Sequence, residues 1–183
     1  MEKHLNSKLP ILEFGCGNGR DGLFFIKNNF NYTGYDISKL AVSKFKESLI
    51  DLEIKSQILN RSFVDFEVTT NEEIQIYSRF TMHSIDLISQ EIILNKLKQL
   101  NNQFTFFLEV RTIYDEFFGK GEKLKKNEFI DTHYRRFIDP SEFINIINKD
   151  FTIEYLKVSN GLAKFKKEDP IVLRMIFSNK INN

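Results

Sequence analysis

The chain reads as an α/β protein built on a mostly parallel sheet, and three observations predict it. Residues Ile11 to Arg20 run Ile-Leu-Glu-Phe-Gly-Cys-Gly-Asn-Gly-Arg, an apolar strand that feeds alternating glycines and then a helix-like segment. A second strand-like run, Asn31-Tyr-Thr-Gly-Tyr, ends on Asp36. Near the other end, two apolar runs flank a polar stretch from Ser159 to Pro170 that holds Gly161 and a Lys-Glu-Asp-Pro turn, as in an antiparallel hairpin. A glycine turn lets backbone approach a ligand with no side chain in the way. An acid at the tip of the next strand can accept hydrogen bonds from a ribose diol. Together these features describe a nucleoside-cofactor site on the sheet.

The elements follow in order. Leu9 to Phe14 is a short apolar run and reads as a central buried strand. Arg20 to Asn29 is a helix carrying Leu23, Phe24 and Ile26, ended by Asn28-Asn29. Tyr32 to Tyr35 is the second strand. Ser38 caps a helix from Lys39 to about Ile50 whose inner residues are Leu40, Val42, Phe45 and Leu49. Ile54 to Leu59 is a third strand and Glu73 to Tyr77 a fourth. A helix from about Ser84 to Leu100 places Ile85, Ile88, Ile92 and Leu97 near helical spacing. Phe104 to Val110 is a strong fifth strand. Thr112 to Phe137 is charged, aromatic and too long for an ordinary connection. Asp139-Pro140-Ser141-Glu142 starts a helix with Phe143, Ile146 and Ile147 as its apolar stripe. Phe151 to Val158 and Ile171 to Phe177 form the closing hairpin.

With 183 residues the chain supports one domain with a sizeable core, 1–183, carrying an insert at about 112–137. The net charge of +1 gives no field that would draw it to nucleic acid or anionic membrane. No apolar run approaches the ~20 residues of a membrane span. The polar start carries no signal-peptide core, and Cys16 is the lone cysteine, so the expected location is cytoplasmic. The three histidines, His4, His83 and His133, have no ligand-spaced partners, so no metal site is expected.

Glycine spacing separates cofactors. A dinucleotide fingerprint reads Gly-x-Gly-x-x-Gly with a helix N-terminus facing a pyrophosphate. Here Gly15, Gly17 and Gly19 give Gly-x-Gly-x-Gly, with Glu13 two residues earlier. This pattern resembles motif I of the class I S-adenosylmethionine (SAM) methyltransferases. The resemblance extends to about Asn179 and implies a Rossmann-like, mostly parallel seven-stranded sheet with an antiparallel C-terminal hairpin. It implies SAM as cofactor and S-adenosylhomocysteine as its product. By the same resemblance Glu13 orients the methionine moiety, Asp36 binds the ribose, Asp65 accepts from the adenine amino group and Phe66 packs on the ring. Cys16, Asn18, Arg20, Ile37, Ser38 and Ser78 complete the cofactor site. The family carries helices before motif I, whereas ten residues precede Ile11 here; either the site is more open or Thr112 to Phe137 covers it.

Ligands bind outside the carboxyl ends of parallel strands, which points to Arg79 and His83 after strand four and Arg111 after strand five. His133-Tyr134-Arg135-Arg136-Phe137 closes the insert, and arginine suits phosphate or carboxylate because it binds both in bidentate fashion. His83 reads as a base or hydrogen-bond donor, or as a backbone-satisfied histidine. Arg111 reads as an acceptor ligand, or as an arginine paired to Glu109 or Asp115. The Asn-Pro-Pro-Tyr pattern of amino-methylating DNA enzymes is absent, so a nucleic-acid substrate is not expected. The strand-four motif, Glu109 to Glu116, His133 to Phe137, and Gly161 to Ala163 with Glu168 to Pro170 are similar to a methyltransferase subgroup found with capsule and surface-polysaccharide genes. That likeness implies an O-methyltransferase for a small anionic acceptor: a sugar, sugar phosphate, glycan precursor or phosphoramidate-type group. The alternatives are a methyltransferase for another small metabolite and a SAM-binding partner subunit without its own chemistry. An NAD-dependent oxidoreductase is opposed by the glycine spacing and the hairpin.

Overall fold

The computed structural model describes residues 4–50 and 56–180. The chain divides into two compact units, one of Met1–Ser78 with Leu100–Thr105 and one of Arg79–Gln99 with Phe106–Asn183.

The first unit holds β1 (Ile11–Phe14), α1 (Gly22–Lys27), β2 (Tyr32–Asp36), α2 (Lys39–Glu47), β3 (Gln57–Asn60) and nearly all of β4 (Ile74–Arg79). β1 pairs in parallel with β2 on one side and with β4 on the other, and β2 pairs in parallel with β3. A strand flanked by parallel neighbours is covered on both faces, which explains the unbroken apolar run around Glu13. On one face Phe14 stacks on Phe63, centroids 5.3 Å apart, and meets Phe66 at 5.1 Å. On the other, α1 sets Phe25 against Tyr77 at 5.0 Å, and α2 sets Phe45 against Tyr32 at 6.1 Å.

The second unit holds α3 (Leu87–Gln99), most of β5 (Phe104–Arg111), β6 (Glu122–Lys125), β7 (Glu128–Ile130), β8 (Tyr134–Arg136), α4 (Pro140–Asp150), β9 (Phe151–Ser159) and β10 (Val172–Asn179). β9 and β10 form the expected antiparallel hairpin, with a register shift between Ile176 and Phe177. Phe106 stacks on Phe177 at 4.8 Å beneath it. The seven-stranded sheet has the order β3-β2-β1-β4-β5-β10-β9, and β6-β7-β8 form a separate antiparallel sheet.

Several boundaries differ from the sequence reading. α1 starts at Gly22 rather than Arg20, because the glycine turn occupies the residues before it: Gly19 N–H donates to Cys16 O, and Leu23 N–H to Gly19 O opens the helix. Its inward residues are Phe25 and Ile26, and Phe24 is exposed. Ser38 does cap α2, its Oγ accepting from Ala41 N–H at 3.3 Å, but Leu40 faces solvent and Val42 and Phe45 face inward. β3 begins at Gln57; Ile54 and Lys55 lie outside the described residues. α3 starts at Leu87, and its buried stripe is Gln90, Ile93, Leu94 and Leu97, leaving Ile88 and Ile92 exposed. Apolar residues at 88, 92, 93 and 94 fit two helical phases. The one chosen puts Gln90 inside, where Arg136 Nη2 donates to its side-chain oxygen at 2.8 Å. Asp139 caps α4 by accepting from Ser141 N–H at 2.9 Å, with Phe143 and Ile147 buried and Ile146 largely outside.

The insert is ordered as the three-stranded sheet. Phe118, Phe129 and Phe137 pack edge to face at 5.3, 5.6 and 6.0 Å. Residues Lys120 to Lys126 form its solvated face.

Candidate active site

In the first unit β1 ends in the glycine turn. Gly15, Gly17 and Gly19 take φ of 71°, 53° and 88°, a left-handed backbone that favours glycine. Gly15 and Cys16 N–H both donate to Tyr35 O, at 2.8 and 3.0 Å, which folds the turn back onto β2. Asp36 locks it from the other side. Its Oδ2 accepts from Gly17 N–H and its Oδ1 from Ser38 N–H, each at 2.8 Å. Each carboxylate oxygen keeps a further lone pair. Nothing lies within 4 Å of where a Gly17 Cβ would sit, so this edge of the turn is open to a ligand. Asn18 and Arg20 are exposed beside it, and Ile37 is 75% exposed at the tip of β2.

Glu13 is buried in the middle of this unit, and its Oε2 accepts from Tyr32 Oη at 2.5 Å. Burial raises the Tyr32 phenol well above its ordinary value, and the Glu13 carboxylate adds to that. The Cys16 thiol is pushed up to about 12, first by burial and then by Glu13 and Asp36, so it is not a thiolate nucleophile. Asp65 is exposed in a 3₁₀ turn, Phe63–Asp65, that Ser62 caps. Phe66 is buried against Phe14. Ser78 is fully buried at the carboxyl end of β4, and its hydroxyl has no hydrogen-bond partner among the described residues.

In the second unit Arg79 Nε donates to Glu109 Oε1 at 2.9 Å. Glu109 is fully buried, and its Oε2 accepts from Arg174 Nε at 2.8 Å. Arg111 Nη1 donates to both oxygens of Asp115 at 3.0 Å, and its Nη2 to Glu168 at 2.5 Å. Arg135 donates to Asp131 at 2.9 Å and holds that carboxyl well below its usual range. Arg136 is buried, with Nε on Ile85 O at 2.9 Å and Nη2 on Gln90. Aromatic rings interleave with these cations. Arg79 and Arg111 each lie 5.6 Å from the Phe80 centroid, and Arg111 and Arg135 lie 5.0 and 5.7 Å from that of Phe117. Phe80 holds φ of 55°, an unusual angle for a bulky residue.

His83 sits in a short 3₁₀ turn, Met82–Ser84, rather than on the first turn of α3. It is buried, its ring 5.9 Å from Phe80, and Nδ1 has no partner among the described residues. Burial, followed by Arg111, Arg135, His133 and Arg136, lowers its pKa to about 3, so the imidazole is neutral. His133 is exposed on the β7–β8 turn, within reach of Thr132. Burial and Glu128 push the Tyr134 phenol up to about 12.

The sequence reading missed Arg174, Glu168 and Tyr32 as members of these clusters, and it offered Glu109 as a partner of Arg111 where the structure pairs it with Arg79 and Arg174. Glu109 stands two residues before Arg111, but its partners come from β4 and β10, and Glu168 reaches Arg111 from the loop between β9 and β10. Among the described residues no group of three or more His, Cys, Asp or Glu side chains could hold a metal ion, and no helix is long and apolar enough to cross a membrane.

Neither a protein-family model nor a curated protein matches the chain. Solved structures do. A SAM-dependent methyltransferase from Methanosarcina mazei superposes with a TM-score of 0.77 at 12% identity, covering 97% of this chain and 95% of that one. One from Anabaena variabilis gives 0.71 at 21% identity, covering 98% and 81%. A glycopeptide N-methyltransferase in complex with S-adenosylhomocysteine gives 0.67 at 12% identity, covering 98% and 86%. The chain therefore has the Rossmann-like class I methyltransferase fold, with a mixed sheet that ends in an antiparallel hairpin.

Proposed function

We propose that the chain is a SAM-dependent O-methyltransferase acting on a small anionic acceptor. The observation that carries the cofactor half is Asp36, which fastens an open glycine turn to the tip of β2 while keeping lone pairs for a ribose diol. In this reading Gly15 to Arg20 line the methionine side and Glu13 orients the amino-acid end. Ile37 and Ser38 flank the ribose, Asp65 and Phe66 serve the adenine, and Ser78 offers its unpaired hydroxyl. Bound SAM supplies an electrophilic methyl carbon on a sulfonium. The chain's own task is then to position the acceptor oxygen.

The acceptor half rests on charge. Arg79, Arg111, Arg135, Arg136 and Arg174 bring five guanidiniums into one unit, among the carboxylates Glu109, Asp115, Asp131, Glu168 and Glu128. Arg111 and Arg135, beside the Phe117 ring, are proposed to grip the anion, with His133 and Tyr134 contributed by the same 112–137 insert. Arg79 lines the same side. Arg136, held by backbone carbonyls and Gln90, positions the turn that carries His83. Phosphate-type oxygens are deprotonated near neutral pH, so neutral His83 acts as a hydrogen-bond partner and no general base is needed. The short blocks around strand four, 109–116, 133–137 and 161–170 support a sugar phosphate or phosphoramidate-type group of surface polysaccharide as that acceptor.

Calorimetry tests the cofactor half. S-adenosylhomocysteine should bind in preference to NAD, and Asp36→Ala should weaken it by roughly 1–3 kcal/mol. Folded protein that does not bind S-adenosylhomocysteine overturns the reading.

A further inference from the structure

The hydroxyl of Tyr32 stands at the centre of the first unit, and nothing in the turn motif calls for it. We infer that Tyr32 is a positioning residue for the cofactor's amino-acid end, holding the Glu13 carboxylate through its phenol. The inference rests on the SAM reading proposed above.

Register explains how the contact arises. Glu13 on β1 lies opposite Gly34 on β2, and Tyr32 sits two residues before Gly34, on the same face. A side chain at 34 would stand between phenol and carboxylate. A Cβ built there would come within 2.4 Å of Tyr32 Oη and 3.0 Å of Cys16 Sγ. Gly22 of α1 clears the other side, since a Cβ there would lie 2.6 Å from the same oxygen and 2.5 Å from Phe45. Two glycines from different elements thus vacate a channel along which a fully buried tyrosine delivers its hydroxyl to Glu13 Oε2 at 2.5 Å. A tyrosine that only filled core volume would need neither gap.

The consequence is directional. Glu13 stands two residues before Gly15, at the start of the glycine turn. Tyr32 holds Oε2, which fixes the plane of the carboxylate that orients the ligand's amino-acid end. Removing the phenolic oxygen leaves the ring, its stack on Phe25 and its edge contact with Phe45 in place. The carboxylate loses its orientation and its burial is compensated less well.

The test compares two ligands that share adenosine and differ in the amino-acid end, S-adenosylhomocysteine and 5′-methylthioadenosine. Tyr32→Phe should weaken S-adenosylhomocysteine roughly tenfold, the scale of one hydrogen bond to a charged group, and leave 5′-methylthioadenosine unchanged. The melting temperature, measured alongside, should move by only a few degrees. Glu13→Gln should show the same selectivity. Unchanged S-adenosylhomocysteine affinity in Tyr32→Phe, or equal weakening of both ligands, overturns the positioning role. Wild-type protein that binds neither ligand overturns the cofactor reading itself, and this inference with it.

Discussion

Burial, reinforced by Arg111, Arg135, His133 and Arg136, holds the His83 imidazole near pKa 3 against an ordinary value of 6.5. The sign of the pH effect follows from that depression. Between about pH 3 and 6.5 the unfolded chain takes up a proton that the folded chain refuses. Stability from this residue is complete above about pH 6.5 and is lost as pH falls toward 3, at up to roughly 1.4 kcal/mol per pH unit. Denaturant unfolding across that range should show the loss, and His83→Asn should flatten it. Turnover should carry no inflection near pH 6.5 from this group. An inflection there that disappears in His83→Asn would restore the general-base reading and remove the need for an anionic acceptor. The residue itself was visible in the sequence. Its protonation state was not, because it depends first on burial in the fold and then on arginines contributed by β5 and β8.

At the scale of the element, Glu109 shows how a strand end becomes a site. β5 buries this carboxylate completely, and guanidiniums from β4 and β10 satisfy both of its oxygens. A buried carboxylate in this setting is tolerable only because both partners are present. Glu109→Gln leaves two partly buried arginines competing for one neutral amide. Because Arg79 and Arg174 keep 17% and 20% of their side-chain surface exposed, the expected cost sits at the low end for broken buried pairs, about 3 kcal/mol, read from urea unfolding. A loss below about 1 kcal/mol would show that solvent already carries these arginines. The elements were legible to very different degrees. β1, β2, β5 and the hairpin declare themselves through apolar runs bounded by turns. The Ser38 and Asp139 caps were readable because capping is local chemistry. The phase of α3 was not, since its isoleucines fit two faces and the deciding contact, Gln90 with Arg136, spans 46 positions. The insert hid its strands because they pair only with one another, along a charged and solvated sequence.

Across the whole molecule, the residues proposed for the cofactor all lie in the first unit and those proposed for the acceptor all lie in the second. The first set was nearly complete in the sequence, because a glycine turn and the acid after the next strand are tied by fixed spacing. The second was legible as arginines and as the local Arg111–Asp115 pair but not as a network, since Glu109 meets Arg79 and Arg174, and Glu168 meets Arg111, only by packing. This division gives a prediction that separates binding from chemistry. Arg111→Ala and Arg135→Ala should leave S-adenosylhomocysteine affinity within about twofold of wild type, because the residues proposed for the cofactor all belong to the first unit. On an anionic acceptor such as a sugar phosphate, each should lower turnover by roughly 10- to 100-fold, the loss of a charge-assisted contact that orients the nucleophile. Arg111→Lys should recover only part of that, since an ammonium cannot reproduce the bidentate fork or the contact with the Phe117 ring. The measurement is S-adenosylhomocysteine release with sugar phosphates, nucleotide sugars and phosphoramidates offered in parallel with neutral sugars. Full activity of both alanine variants on a neutral hydroxyl would end the anionic-acceptor proposal while leaving the cofactor assignment intact. Loss of cofactor binding in Arg111→Ala would show instead that the two sets of residues do not act independently.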